Sequence, residues 1–239
     1  MTSPDAPAPF RLGYVPGVTP AKWVTGWTER FPAAPLDLTQ VAAADAAGLV
    51  RDGRVDAVLL RLPTDRDGLH AIPLYTEVTV VVVPKGHLFA DADELSTSDL
   101  VDEVLLHPHD DTLGWERPPG QAALHRPDTT GDAIELVAAG VGLLVVPQSL
   151  ARLHHRRDLT YRPLTDAPQS TVALSWLEDG TTDPIDDFIG IVRGRTPNST
   201  RGRTPAKPQT TTPRTKPQPK PTSRGKTAAA KPGKRRRRG

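Results

Sequence analysis

The chain of 239 residues contains no cysteine. Disulfide bonds, thiolate metal ligands and a cysteine nucleophile are therefore excluded within it. No stretch approaches the roughly 18 continuous apolar residues that a membrane-spanning helix needs. Residues 1–10 lack the cationic start and apolar run of a secretory signal. We therefore expect a soluble, cytoplasmic protein without a membrane partner.

Acidic residues are missing from the last 46 positions, which carry fifteen of the thirty lysines and arginines. All twenty-eight acidic residues lie in residues 1–193, so that part has a formal charge of −13. Residues 194–239 also lack aromatic residues, Leu, Ile, Val and Met, and so cannot bury enough apolar surface to offset the entropy of ordering. We predict an extension over residues 1–9, a folded acidic domain over 10–193 and a disordered basic tail.

Strand and helix patterns alternate along residues 10–193. Residues 55–62 are almost continuously apolar, which is typical of a strand buried on both faces. Thr19 and Pro20 are suited to open a helix. The other predicted strands are 10–15, 36–41, 78–83, 143–146 and 171–177, and the other predicted helices are 42–51, one starting at 129–132 and one starting at 183. This alternation predicts an α/β fold.

Four segments, in this order, resemble the effector-binding domain of LysR-type transcriptional regulators over roughly residues 10–193. They are FRLGYVPGVTP, LVRDGRVDAVLLRLP, AIPLYTEVTVVVVPKGHLFA and AIELVAAGVGLLVVPQSLAR. Recurrent family positions are matched by Gly53, Val55 and Asp56, by Pro84, Gly86 and His87, and by Ala139, Gly140, Gly142 and Pro147.

The resemblance implies the type 2 periplasmic-binding-protein fold, with two α/β lobes joined by two crossing strands. Lobe I is then expected at residues 10–83 and 168–193, and lobe II at 84–167. A small-molecule effector, commonly a carboxylate, is expected between the lobes, and a homodimer is the implied assembly. Family members begin with a helix-turn-helix, whereas this chain reaches its first strand by Phe10. We therefore do not expect sequence-specific DNA recognition by that route.

The first predicted effector contacts are Gly17, Val18 and Thr19, which precede a predicted helix. The unpaired amides and dipole of a helix N-terminus favour anions, which suits a carboxylate effector. The alternative is that Thr19 serves only as the N-cap of that helix.

Thr129, Thr130 and Gly131 are the predicted contacts from the other lobe, at the start of a second helix. The alternative is a capping box with Asp132 or Glu135. The family motif adds Pro147 to the predicted ligand-binding residues.

Arg61 stands inside an otherwise apolar predicted strand. Burying a guanidinium without a partner is costly, so Arg61 must reach a carboxylate, a ligand or solvent. Two alternatives follow, which are ligand contact and an internal ion pair with Asp56 or Asp65.

Catalytic and metal-binding patterns are not found in the sequence. It contains no G-x-S-x-G, H-E-x-x-H, P-loop or dinucleotide motif. Residues 107–111 (HPHDD) are interpreted as a surface loop, and His154 and His155 as a helix end where adjacent side chains point apart. We expect no enzyme activity, no metal and no cofactor.

The basic tail contains a short repeat, in which residues 193–197 (RGRTP) recur at 201–205. The repeat resembles the AT-hook, although a threonine separates arginine from proline. A cationic arm binds nucleic acid by counterion release without recognising sequence. The predicted contacts are Arg193, Arg195, Arg201, Arg203, Lys234, Arg235, Arg236, Arg237 and Arg238.

Two functions remain open. The first is a regulatory effector-binding protein whose tail attaches non-specifically to nucleic acid, and the alternative is a nucleic-acid-associated protein that acts mainly through the tail. The tail could instead lie against its own acidic domain, which a flexible arm of this length can reach.

Overall fold

Two five-stranded sheets form the framework of residues 8–195, the part of the chain that the structure, a computed structural model, describes. The strands are β1 (Phe10–Tyr14), β2 (Leu36–Gln40), β3 (Ala57–Leu62), β4 (Leu69–Thr76), β5 (Thr79–Pro84), β6 (Val104–Leu106), β7 (Gln121–Ala122), β8 (Leu143–Pro147), β9 (Leu159–Pro163) and β10 (Thr171–Leu177). The helices are α1 (Ala21–Arg30), α2 (Ala46–Arg51), α3 (Thr130–Ala138), α4 (Gln148–Leu153) and α5 (Asp183–Val192), with short 3-10 helices at Leu88–Asp91 and Thr97–Leu100.

The first sheet has the strand order β2-β1-β3-β10-β4 and forms lobe I. Strands β1, β2 and β3 are parallel, whereas β10 runs antiparallel to β3 and β4. Helices α1 and α5 cover this sheet through an aromatic cluster, in which the ring centroids of Phe10 and Trp27 are 5.0 Å apart and those of Phe10 and Phe188 are 5.4 Å apart. Each such buried side chain contributes about 1.5–3 kcal/mol, so the cluster anchors both helices to the sheet.

The second sheet has the order β7-β6-β8-β5-β9 and forms lobe II. Strand β5 is buried on both faces. Val80 and Val82 pack into one apolar cluster with α3, and Val81 and Val83 pack into another on the opposite face. Because successive side chains of a strand point to opposite faces, the run of valines serves both clusters at once.

The predicted two-lobed α/β fold is confirmed, but the first crossing between the lobes is shifted. We expected residues 78–83 in lobe I, whereas β5 pairs with β8 and β9 of lobe II. The chain therefore crosses at Glu77 and Val78. The second crossing leads from β9 to β10, and the Glu77 amide donates to the Ser170 carbonyl at 2.8 Å, so that the two crossings are hydrogen-bonded to each other. Hydrophobicity predicts a buried strand but does not specify which sheet it joins.

Helix starts also differ from expectation. The N-cap of α1 is Pro20, which makes no side-chain capping bond, so the prediction of Thr19 as N-cap is wrong. Helix α2 begins at Ala46 instead of residue 42, and edge strand β4, which contains Pro73, was not predicted. Helix α3 begins with a capping box formed by Thr129 and Asp132, which was one of the two alternatives.

Of the predicted nucleic-acid contacts, Arg193 follows α5 as its C-cap, and the Arg195 carbonyl accepts a hydrogen bond from the Arg30 guanidinium. Arg201, Arg203 and residues 234–238 lie outside the described residues. Among residues 8–195, no helix is long and apolar enough to cross a membrane.

Candidate functional site

A cavity of about 610 Å³ lies between the two lobes. Lobe I lines it with Tyr14, residues 17–19 and Gln40, and lobe II with residues of α4. Tyr14 and Gln40 end the parallel strands β1 and β2, whose carboxyl ends meet at one edge of the sheet. This edge is where ligands bind in open α/β sheets, so the topology places the cavity at the expected position.

Arg61 and Glu77 form a buried ion pair at the crossing between the lobes. Arg61 Nε lies 2.6 Å from Glu77 Oε2, and the two side chains are 3% and 5% exposed. Arg61 Nη1 also donates to the Pro16 carbonyl at 2.7 Å. The alternative of an internal ion pair is therefore the one that the structure shows.

The partner of Arg61 was wrongly predicted. Asp56 lies 2.6 Å from Nη2 of Arg11, and Asp65 lies 2.9 Å from Nη2 of Arg51. Both aspartates therefore have other arginine partners, while Glu77, which directly follows β4, pairs with Arg61.

Two serines extend the ion pair into a network that spans both lobes. Ser149 accepts from Arg61 Nη2 at 2.9 Å and donates to Glu77 Oε1. Ser170 donates to Glu77 Oε2 at 3.0 Å. We call Arg61, Glu77, Ser149 and Ser170 the crossing network. It contains one residue from each lobe and one from each crossing, and Glu77 and Ser149 also line the cavity.

Gly17 packs directly against the crossing network. Its φ is +82°, a conformation that side chains other than glycine rarely adopt. A Cβ atom at this position would lie 2.8 Å from Arg61 Nη2 and 2.9 Å from Ser149 Oγ. The close approach of the β1–α1 loop to lobe II therefore requires glycine.

The other two predicted residues of this loop also line the cavity. Val18 is buried, whereas Thr19 is exposed. The Thr19 hydroxyl has no hydrogen-bonding partner within residues 8–195, since α1 does not use it as a cap. It can therefore donate to or accept from a bound molecule.

The predicted residues of lobe II are placed differently. Thr129 is occupied by its capping box, and Thr130 is buried with its hydroxyl donating to Asp110 at 2.9 Å. Neither they nor Gly131 line the cavity. Pro147 is buried at the end of β8, and it is the following residue, Gln148, that faces the cavity. The structure therefore does not bring these four predicted residues to the cavity.

Sequence reasoning missed several residues that line the cavity, among them Gln40, Tyr75, Gln148 and Arg152. Gln40, Tyr75 and Gln148 stand at or next to the ends of strands, and that position is the signal that could have identified them. Partial burial raises the pKa of the Tyr75 phenol above its usual value, and the Glu77 carboxylate adds to this effect. Tyr75 therefore remains a neutral hydrogen-bond donor at neutral pH.

The histidines were predicted not to bind metal. His107 Nε2 lies 3.4 Å from Asp111 Oδ2, and the ring of His154 lies beside Gly131. No group of three or more His, Cys, Asp or Glu side chains suited to a metal ion occurs within the described part of the chain.

Two α/β lobes with a cavity between them, joined by two crossing segments, define a bilobal small-molecule-binding fold. The chain belongs to the LysR substrate binding domain family, whose model matches residues 9–197. The predicted family membership is therefore confirmed.

Known proteins similar to this chain include regulators of transcription. A probable hydrogen peroxide-inducible genes activator of Mycobacterium leprae is 31% identical over 154 residues, which are 59% of this chain and 50% of the relative. The HTH-type transcriptional regulator AlsR of Bacillus subtilis is 24% identical over 184 residues, or 70% of this chain and 59% of the relative. The chain thus spans about half the length of the first of these relatives.

Solved structures share the fold. The oxidized form of OxyR has a TM-score of 0.64 and 22% sequence identity, covering 79% of this chain and 95% of that one. The BenM effector binding domain with its effector benzoate has a TM-score of 0.65 and 20% identity, covering 77% and 90%.

Proposed function

We propose that this domain binds a small-molecule effector in the cavity between its lobes and that binding regulates transcription. The observation that carries the proposal is the position of the cavity directly above the crossing network. A ligand there touches Gly17 of lobe I, Ser149 of lobe II and Glu77 of the first crossing. It can therefore bias the arrangement of the lobes, which is how differential binding shifts a conformational equilibrium.

We propose a carboxylate as the effector. The hydroxyl of Thr19 and the loop of residues 17–19 before α1 supply hydrogen-bonding groups at the cavity. Arg61 is not proposed to contact the effector, because its charge is already balanced by Glu77. The absence of cysteine excludes a thiol-based redox response within these 239 residues. A homodimer remains a prediction from the family.

Thermal unfolding of the full chain with a panel of small carboxylic acids tests effector binding. A binding acid at a hundred times its Kd is expected to stabilise the folded domain by about 2.7 kcal/mol, and so to raise Tm. Thr129→Ala serves as the control, because it removes a helix cap outside the cavity and should leave the ligand-induced rise unchanged. If no acid in the panel raises Tm, effector binding at this site is rejected.

We further propose that the basic tail attaches the protein to nucleic acid without recognising sequence. The support is its composition, since residues 194–239 carry fifteen positive charges and no negative charge. Such binding weakens with salt because counterions are released from the phosphates. The alternative function, in which the protein acts mainly through its tail, rests on the same composition.

An electrophoretic mobility shift with duplex DNA compares the full chain with a version ending at Arg195. We expect truncation to weaken binding at least about tenfold, and the full chain to lose affinity with salt at a logarithmic slope of about −0.9 per phosphate contact. Equal affinities for the two proteins would remove the nucleic-acid role from the tail.

A further inference from the structure

Exposed apolar side chains converge on the cavity between the lobes. Eight large apolar residues are exposed in the described part of the chain, and three of them line this one cavity. They are Tyr75, Val78 and Leu153, with exposures of 41%, 45% and 51%. Single exposed apolar residues are normal on a protein surface, whereas a group of them around one concavity marks a binding surface.

The charge of the cavity wall is set by Arg152. Two charged residues line the cavity, Glu77 and Arg152. Glu77 is neutralised by its buried ion pair with Arg61. Arg152 forms no ion pair within residues 8–195, and its Nε donates to the Tyr161 hydroxyl at 3.2 Å. Its two terminal nitrogens therefore remain available, and the uncompensated charge of the wall is positive.

From these two features we propose that the effector is an amphipathic monoanion whose carboxylate is bound by Arg152. Its apolar body lies against Tyr75, Val78 and Leu153. Arg152 and Leu153 both line the cavity from α4, so one helix supplies the wall with a cationic and an apolar group. This inference rests on the proposed effector-binding function and specifies the ligand class for the same cavity.

The same features discriminate against other small molecules. A second carboxylate on the ligand would lack a cationic partner, because the cavity wall offers no second uncompensated cation among the described residues. A sugar or polyol would leave the apolar groups of the wall without apolar contact. The volume of about 610 Å³ is ample for a ring or short alkyl chain carrying one acid group.

Calorimetric titration of the full chain tests the proposal with phenylacetate and hexanoate, their neutral amides, and the dicarboxylate succinate. We expect each monocarboxylate to bind at least about tenfold more tightly than its amide and than succinate, since only the monocarboxylate pairs its charge with the guanidinium of Arg152 and leaves no second charge unpaired. Arg152→Gln should abolish the preference for acid over amide, and Arg152→Lys should keep part of it. Arg157→Gln is the matched control, because Arg157 is an exposed arginine of the same segment outside the cavity wall.

Leu153→Ser tests the apolar contacts of the ligand and should weaken the binding of the acids and of their amides by a similar factor. An unchanged acid preference in Arg152→Gln, or tighter binding of succinate than of both monocarboxylates, would overturn the proposed ligand class but leave effector binding in place. If none of the acids or amides binds, both the ligand class and the effector-binding function are rejected.

Discussion

Replacing Glu77 by alanine is expected to lower the free energy of unfolding by about 3–5 kcal/mol. The change leaves the guanidinium of Arg61, whose side chain is 3% exposed, as an unpaired buried charge. It also removes the hydrogen-bond acceptor of Ser149 and Ser170. Urea denaturation of the full chain measures the loss directly.

Two further variants assign the cause of this loss. Asp65→Ala breaks the exposed ion pair with Arg51 and should cost about 1 kcal/mol or less. Combining Arg61→Met with Glu77→Leu should recover much of the stability lost in Glu77→Ala, because no buried charge remains. A Glu77→Ala variant no less stable than Asp65→Ala would contradict the buried ion pair.

Replacing Gly17 by alanine is expected to lower the free energy of unfolding by about 2–5 kcal/mol. Adopting a φ of +82° costs a residue other than glycine about 1–2 kcal/mol. The added methyl group also approaches Arg61 and Ser149 to less than 3.0 Å, and such overpacking typically costs about 1–3 kcal/mol. Effector affinity should fall in the same variant, because the methyl group pushes the β1–α1 loop away from lobe II.

Gly53→Ala separates the two contributions. Gly53 also has a positive φ, of +64°, but a Cβ there meets nothing within 4 Å. We expect this variant to lose only the backbone contribution of about 1–2 kcal/mol and to keep its effector affinity. If Gly17→Ala and Gly53→Ala lower the free energy of unfolding equally, the close contact of Gly17 with the crossing network does not contribute to stability.

Local patterns predicted much of the fold. The strand β10 and the start of α5 agree with the sequence pattern, because alternating and helical periodicities are properties of a short segment. The assignment of β5 to lobe I failed for a different reason. Four consecutive valines predict burial on both faces in either sheet, and only packing against α3 and β8 places them in lobe II.

Of the two predicted Thr- and Gly-containing loops, the structure places residues 17–19 at the cavity and residues 129–131 away from it. Both segments have Thr and Gly before a helix, so the local sequence predicts the same role for both. In the structure, Thr129 caps its helix and Thr130 binds Asp110, whereas the first loop lies beside the other lobe and leaves the Thr19 hydroxyl exposed.

By itself, the sequence determined the α/β class, the family and the division into an acidic domain and a basic tail, since these follow from composition, periodicity and short motifs. Only the tertiary structure decided the partner of Arg61. Glu77 lies sixteen positions away and Ser149 eighty-eight, and neither stands out in the sequence. The pairing depends on how the two lobes pack against each other at their crossings. The same packing places Arg152 in the wall of the cavity.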